Sequence, residues 1–169
     1  MLKVLVPVDG SSHCQQAVAH LLRERLRNPA LKIHLLNVQR PFSRYVTRFI
    51  DSATIQAAHQ EASNAALRPA RQMLDAASVA YEVHSVVGEK AACMVAHAQR
   101  LRCDHIVVST GRKSSLVRAV EGSVTNQLLE LSTVPVVAIG RNAASKIERY
   151  GIPTGVSALL AWLFFAAAA

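Results

Sequence analysis

Two short stretches hold the residues best suited to chemistry: Asp9-Gly-Ser-Ser12 and the polar run from Ser109 to Ser123. An aspartate followed by glycine and serines turns the chain and leaves a carboxylate to accept hydrogen bonds from an amine or hydroxyl. Gly122-Ser123 opens a helical segment, where free amide hydrogens and the positive dipole end suit an anion such as phosphate. Arg112, Lys113 and Arg118 add positive charge to the same run. The plain structural alternative is a turn aspartate, a capped helix and a solvated loop, because every α/β protein has strand ends of this kind.

Other chemistries find less support. The phosphate-loop pattern G-x4-G-K-[ST], the zinc-protease pattern H-E-x-x-H and the nucleophile elbow G-x-S-x-G are all absent. Asp9-Gly-Ser-Ser12 also lacks the paired glycines that ATP pyrophosphatases of similar architecture carry after their first strand. Cys93, His97, Cys103 and His105 are the obvious metal candidates, but the first two fall on a helix, His105 begins a strand, and no C-x2-C element accompanies them. No metal is therefore expected. No paired carboxylates suggest acid–base catalysis, and a dedicated enzyme is not expected.

The elements that must position Asp9 and Gly122 can be read from apolar runs and their punctuation. Val4 to Val8 is a strand buried on both faces, and Ser11 or Ser12 caps the next helix, with Val18, Leu22 and Leu26 repeating beside Leu21. Ile33 to Val38 is the second strand, and Gln39 to Ile50 reads as a surface loop. Asp51 to Ala77 is helical, with Pro69 predicted to kink or divide it. Tyr81 to Val86 alternates like an edge strand, and Glu89 to Leu101 puts Ala91, Met94, Val95, Ala98 and Leu101 on one helical face. His105 to Val108 is a fourth strand and Val134 to Ile139 a fifth, separated by a helix with Val124, Leu128 and Leu131 in phase. Strands alternating with helices imply a parallel sheet covered on both faces. Ligands of such sheets bind beyond the carboxyl ends of the strands, which singles out Asp9, Val38, Gly88 and Ser109 to Ser123.

Composition sets the class. The chain has 169 residues, 51% of them hydrophobic, enough for one domain with a substantial core. Three scattered cysteines fit reduced thiols in a cytosol, and an acidic residue as early as Asp9 argues against a secretory leader. The formal net charge of +8 favours anionic partners, but the charges are dispersed and no basic–aromatic ribonucleoprotein motif is present, so specific nucleic-acid binding is not expected.

Three segments together resemble the universal stress proteins. They are Val4-Leu-Val-Pro-Val-Asp-Gly-Ser11, Leu35-Leu-Asn-Val38, and the run from Asp104-His-Ile-Val-Val108 through Gly122-Ser-Val124 to Val134-Pro-Val-Val137. The resemblance spans residues 1–140 and implies an α/β fold, a five-stranded parallel sheet in a three-layer, Rossmann-like (adenine nucleotide alpha hydrolase-like) α/β/α sandwich. It further implies pairing as a homodimer through the last strand and, in one branch, ATP binding marked by G-x2-G-x9-G-[ST]. Here Gly122-Ser123 matches the final element, while Ser109 and Arg112 stand where the first two glycines belong and Gly111 is one residue out of register. Glycine there lets the backbone approach a triphosphate; Arg112 either obstructs the phosphates or pairs with them. By this resemblance Asp9 and Val38 would face adenine and ribose, Gly122, Ser123 and Val124 would lie near the phosphates, and Pro7, Val8, Ser109 and Arg112 would complete the nucleotide-binding set.

Residues 141–169 are expected to be a basic linker and a short apolar C-terminal tail outside that domain. Arg141, Lys146 and Arg149 precede an uncharged stretch of 18 residues from Ile152, roughly 27 Å if helical and barely a bilayer core. Anchoring at the inner face of the membrane, an interfacial helix, packing on protein and a disordered end are all open to it. The expected function is a cytoplasmic stress-response binding module regulated by ATP or another adenine nucleotide, with little or no catalysis and an unidentified protein partner. The alternatives are a protein-interaction or membrane-tethered domain without nucleotide, and a weak ATPase.

Overall fold

The computed structural model describes residues 2–110 and 124–140. Arg112, Gly122, Ser123 and the whole tail from residue 141 lie outside the described residues. In chain order the elements are β1 (Lys3–Pro7), α1 (Ser12–Arg27), β2 (Lys32–Gln39), α2 (Arg44–Thr47), α3 (Ser52–Ala76), β3 (Tyr81–Val87), α4 (Lys90–Leu101), β4 (His105–Thr110), α5 (Val124–Leu131) and β5 (Val136–Gly140). The five strands form one parallel sheet in the order β3-β2-β1-β4-β5. Chain order reverses at β1, which pairs with β2 on one side and β4 on the other, so the crevice for a ligand falls at the ends of β1 and β4.

Two of the three inner strands are buried almost throughout. Val4, Leu5 and Val6 of β1 are fully buried, and every residue of β2 from Ile33 to Val38 is buried. Alternation along the strands divides the core in two. Val4, Val6, Ile33 and Leu35 pack with Val18 and Leu21 of α1 and Leu67, Ala70 and Leu74 of α3. Leu5, Leu36 and Val38 pack on the other face with Met94, Val95 and Ala98 of α4 and Leu128 of α5. The result is the three-layer sandwich expected from alternating strands and helices.

The helices depart from expectation in instructive ways. α1 buries Cys14, Ala17, Val18 and Leu21, whereas Leu26 is 84% exposed. Five residues beyond Leu21 lies about 140° round the helix, so Leu26 cannot share that stripe. Leu131, the last residue of α5, is likewise exposed while Leu128 carries the packing. α3 runs unbroken through Pro69, because Leu67, Ala70 and Leu74 are buried on either side of the proline and hold the helix against the sheet. The loop after β2 contains a single turn of helix, α2, with the Ser43 hydroxyl accepting from Val46 N. β5 starts at Val136, with Pro135 just outside it; a proline offers no amide to the ladder. No helix among the described residues is long and apolar enough to cross a membrane.

Gly10 occupies the turn between β1 and α1 at φ +79°, and a Cβ there would stand 3.1 Å from the Ala66 Cα of α3. Gly10→Ala is therefore expected to cost about 1–2 kcal/mol from the left-handed backbone alone, with helix displacement added. Urea unfolding checks this, and an unchanged midpoint would contradict the assigned turn.

Candidate functional site

β1 delivers its carboxyl end to the crevice under firm control. Val8 N donates to the Leu36 carbonyl at 2.8 Å, and the buried Asn37 Nδ2 donates to the Val8 carbonyl at 2.6 Å. Gln39 Nε2 in turn donates to Asn37 Oδ1 at 2.7 Å. Satisfied on both sides, this polar bracket fixes the backbone immediately before Asp9.

The Asp9 carboxylate is held as tightly. Its Oδ1 accepts from Ser11 N at 2.9 Å and from the Cys14 thiol at 2.6 Å. Asp9 N donates to Cys14 Sγ at 3.2 Å, closing a ring between the strand end and the first turn of α1. Burial pushes the Asp9 carboxyl up, but the bonds from Cys14 and Ser11 and the positive charge of Lys90 outweigh it and hold the group below the ordinary carboxylate range. Burial pushes the Cys14 thiol up, and the Asp9 charge adds to this, so the thiol keeps its proton and remains the donor.

A cavity of about 170 Å³ opens beside this aspartate. Of the residues singled out from sequence, Pro7, Val8, Asp9, Val38, Ser109 and Val124 all line it. They come from the ends of β1, β2 and β4 and the start of α5. Arg112, Gly122 and Ser123 belong to the segment outside the described residues. Ser109, at the first glycine position of the motif, donates its hydroxyl to the Ile139 carbonyl of β5 at 3.5 Å.

Sequence reasoning missed Cys14 and Lys90, which also line this cavity. An adjoining, more polar cavity of about 450 Å³ shares Asp9, Val38 and Lys90 and adds Arg40. Its size falls in the range of about 300–1,000 Å³ usual for small-molecule sites. Lys90 is the first residue of α4, whose cap is Glu89: the carboxylate accepts from Ala91 N at 2.8 Å and Ala92 N at 3.3 Å. The capping carboxylate satisfies the helix start, and Lys90 beside it lines both cavities. The signal for it lay two residues past Gly88, a strand-end position already marked. The chemistry assembled is an apolar slot, a carboxylate acceptor at its wall and two cations at its edge, suited to a flat nitrogenous ring bearing an anionic tail.

Solved structures share this architecture. A universal stress protein in complex with cAMP is 22% identical, with a TM-score of 0.64 over 82% of this chain and 96% of that one. A universal stress protein family protein from Arabidopsis thaliana with AMP bound is 22% identical, with a TM-score of 0.61 over 85% and 94%. The universal stress protein UspA from Lactobacillus plantarum is 21% identical, with a TM-score of 0.63 over 82% and 97%. No curated protein matches the chain significantly. At these identities the structures establish the fold. Membership rests on the sequence model of the Universal stress protein family, which matches residues 1–140, so the chain belongs to that family.

Proposed function

We propose that the chain is a stress-response binding module whose state is set by an adenine nucleotide seated between β1 and β4, without strong catalysis. The observation that carries this reading is the convergence of Asp9, Val38, Ser109 and Val124 on one strand-end cavity with Lys90 at its edge. Structures of the same fold with cAMP and with AMP bound support the ligand class. In this reading adenine lies in the slot between Val8 and Val38, Asp9 accepts from its amine or from the ribose, and Lys90 and Arg40 meet the phosphate. Three free cysteines, at positions 14, 93 and 103, support a reducing cytoplasmic setting.

Calorimetry with AMP, cAMP and ATP on the full chain tests it. Saturable heat and a raised melting temperature are expected with at least one of the three; neither at millimolar nucleotide sinks the reading. Phosphate release from ATP is expected at the uncatalysed rate, and turnover above it would favour a weak ATPase.

We further propose pairing of two copies through β5. This strand ends the sheet, and its Val137 is 37% exposed. An apolar edge strand is a template for a second copy. Val137→Lys is expected to weaken dimerisation several-fold, because it puts a charge on an apolar edge. Sedimentation equilibrium checks this, and an unaltered dimer constant would move the interface elsewhere.

A further inference from the structure

The parallel pairing of β2 and β3 brings together three ligating side chains that lie far apart in sequence: His34, Glu82 and His84. His34 is opposite Glu82 in the register and Leu36 is opposite His84, so all three project from the face that packs on α4. His34 Nδ1 is 3.2 Å from His84 Nε2 and 3.5 Å from a Glu82 carboxylate oxygen, and all three ligand atoms lie within 4.8 Å of one another.

From this geometry we infer that His34, Glu82 and His84 form a binding site for a divalent transition-metal ion of the zinc type. The two shorter separations match the edge of a tetrahedron with metal–ligand bonds of about 2.0–2.1 Å, which is roughly 3.3 Å. The 3.2 Å contact between the imidazoles is also a hydrogen-bond distance, whereas 3.5 Å is long for an imidazole–carboxylate bond, which ordinarily closes to about 2.7–2.9 Å. His34 Nδ1 carries at most one hydrogen, which can serve His84 or Glu82 but not both. A cation at the centre satisfies the lone pairs of all three. Two imidazoles and one carboxylate also select a first-row transition ion over calcium or magnesium, which prefer oxygen donors.

The surroundings fit an accessible site on a firm base. His34 is 3% exposed and anchored in the core, whereas Glu82 is exposed at the sheet edge and leaves a side open for a water as fourth ligand. His97 of α4 lies against His84 with ring centroids 6.4 Å apart. The site is separate from the nucleotide cavity: Val38 is four residues further along β2, about 13 Å away. A bound ion would clip the edge strand β3 to β2 and stabilise the folded chain by mass action.

Zinc titration of the full-length chain by calorimetry, with cobalt absorption in parallel, decides the matter. One zinc per chain, a four-coordinate cobalt spectrum without thiolate charge transfer, and a zinc-dependent rise in melting temperature are expected. Glu82→Gln and His84→Ala should each weaken zinc binding at least about tenfold, the loss that even outer partners of a metal site bring. Asp9→Asn, which keeps the turn into α1, should leave it intact. Glu82 is exposed, so its substitution tests the site even if the His84 variant folds poorly. No heat with zinc in excess, affinity unchanged in Glu82→Gln, or a cobalt spectrum with thiolate charge transfer would each overturn the assignment.

Discussion

Asp9→Ala is expected to weaken AMP binding by about 10- to 100-fold, read by calorimetry at neutral pH. A hydrogen bond to a charged partner contributes about 1.5–3 kcal/mol. Oδ1 is occupied by Ser11 N and the Cys14 thiol, so the second oxygen is the acceptor assigned to the nucleotide. The same carboxylate organises the turn into α1, and a loss of affinity from misfolding must be separated from a loss of contact. Asp9→Asn makes that separation: its amide oxygen can keep the bonds from Ser11 and Cys14 while the charge is gone. The asparagine variant should melt close to the wild type yet bind AMP several-fold more weakly, and equal affinity in all three proteins would place the ligand elsewhere.

The pH dependence carries a sign that follows from the same group. Asp9 has a folded pKa below its unfolded one. The unfolded chain therefore binds this proton first as pH falls, and the group favours the folded state above the ordinary carboxylate range. That contribution is lost as pH falls through the folded value. Stability at neutral pH should thus be insensitive to Asp9 titration, with an acid-side decline that Asp9→Asn reduces. Because the carboxyl is only half-buried, solvent screening keeps this decline modest.

How much could be read from sequence depends on how local each determinant is. β1 is a short apolar run followed by turn residues, so burial on both faces needs no partner to recognise. The strand-end rule then marks Asp9, Val38 and Ser109 before any coordinates are seen, the family resemblance adds Val124, and these four meet at one cavity. Cys14 escaped because its role depends on a bond across a turn to Asp9, and a lone thiol on a helix reads as packing. Arg40 escaped because loop arginines are common and only the β2 exit places this one beside Asp9. His34 and His84 are 50 residues apart, and nothing short of the β2–β3 register makes them neighbours. Criteria built on helical spacing or C-x2-C elements pass over such a pair. Leu26 shows the reverse failure, where a repeat at i+4 looked like a core stripe but drifted off the buried face.

Pro69 offers the largest expected gain. It sits well inside the 25-residue helix α3, where it supplies no amide hydrogen and its ring crowds the carbonyl four residues earlier. An interior proline costs a helix about 3 kcal/mol relative to alanine. Part of that cost is recovered, because proline restricts the unfolded chain by about 0.4–1 kcal/mol. Pro69→Ala is therefore expected to raise stability by about 2 kcal/mol, seen as a higher urea midpoint with unchanged slope. The helix already follows a continuous path with Leu67, Ala70 and Leu74 buried around the substitution, so alanine needs no rearrangement to fit. The alternative is that the proline supplies a bend on which the packing of those three residues depends. In that case straightening would pull Leu67 or Leu74 off the sheet, and each fully buried leucine contributes about 1.5–3 kcal/mol. A lower urea midpoint for Pro69→Ala would show that the bend is part of the fold. A higher one would show that this helix is held together across its weakest residue by the face it buries.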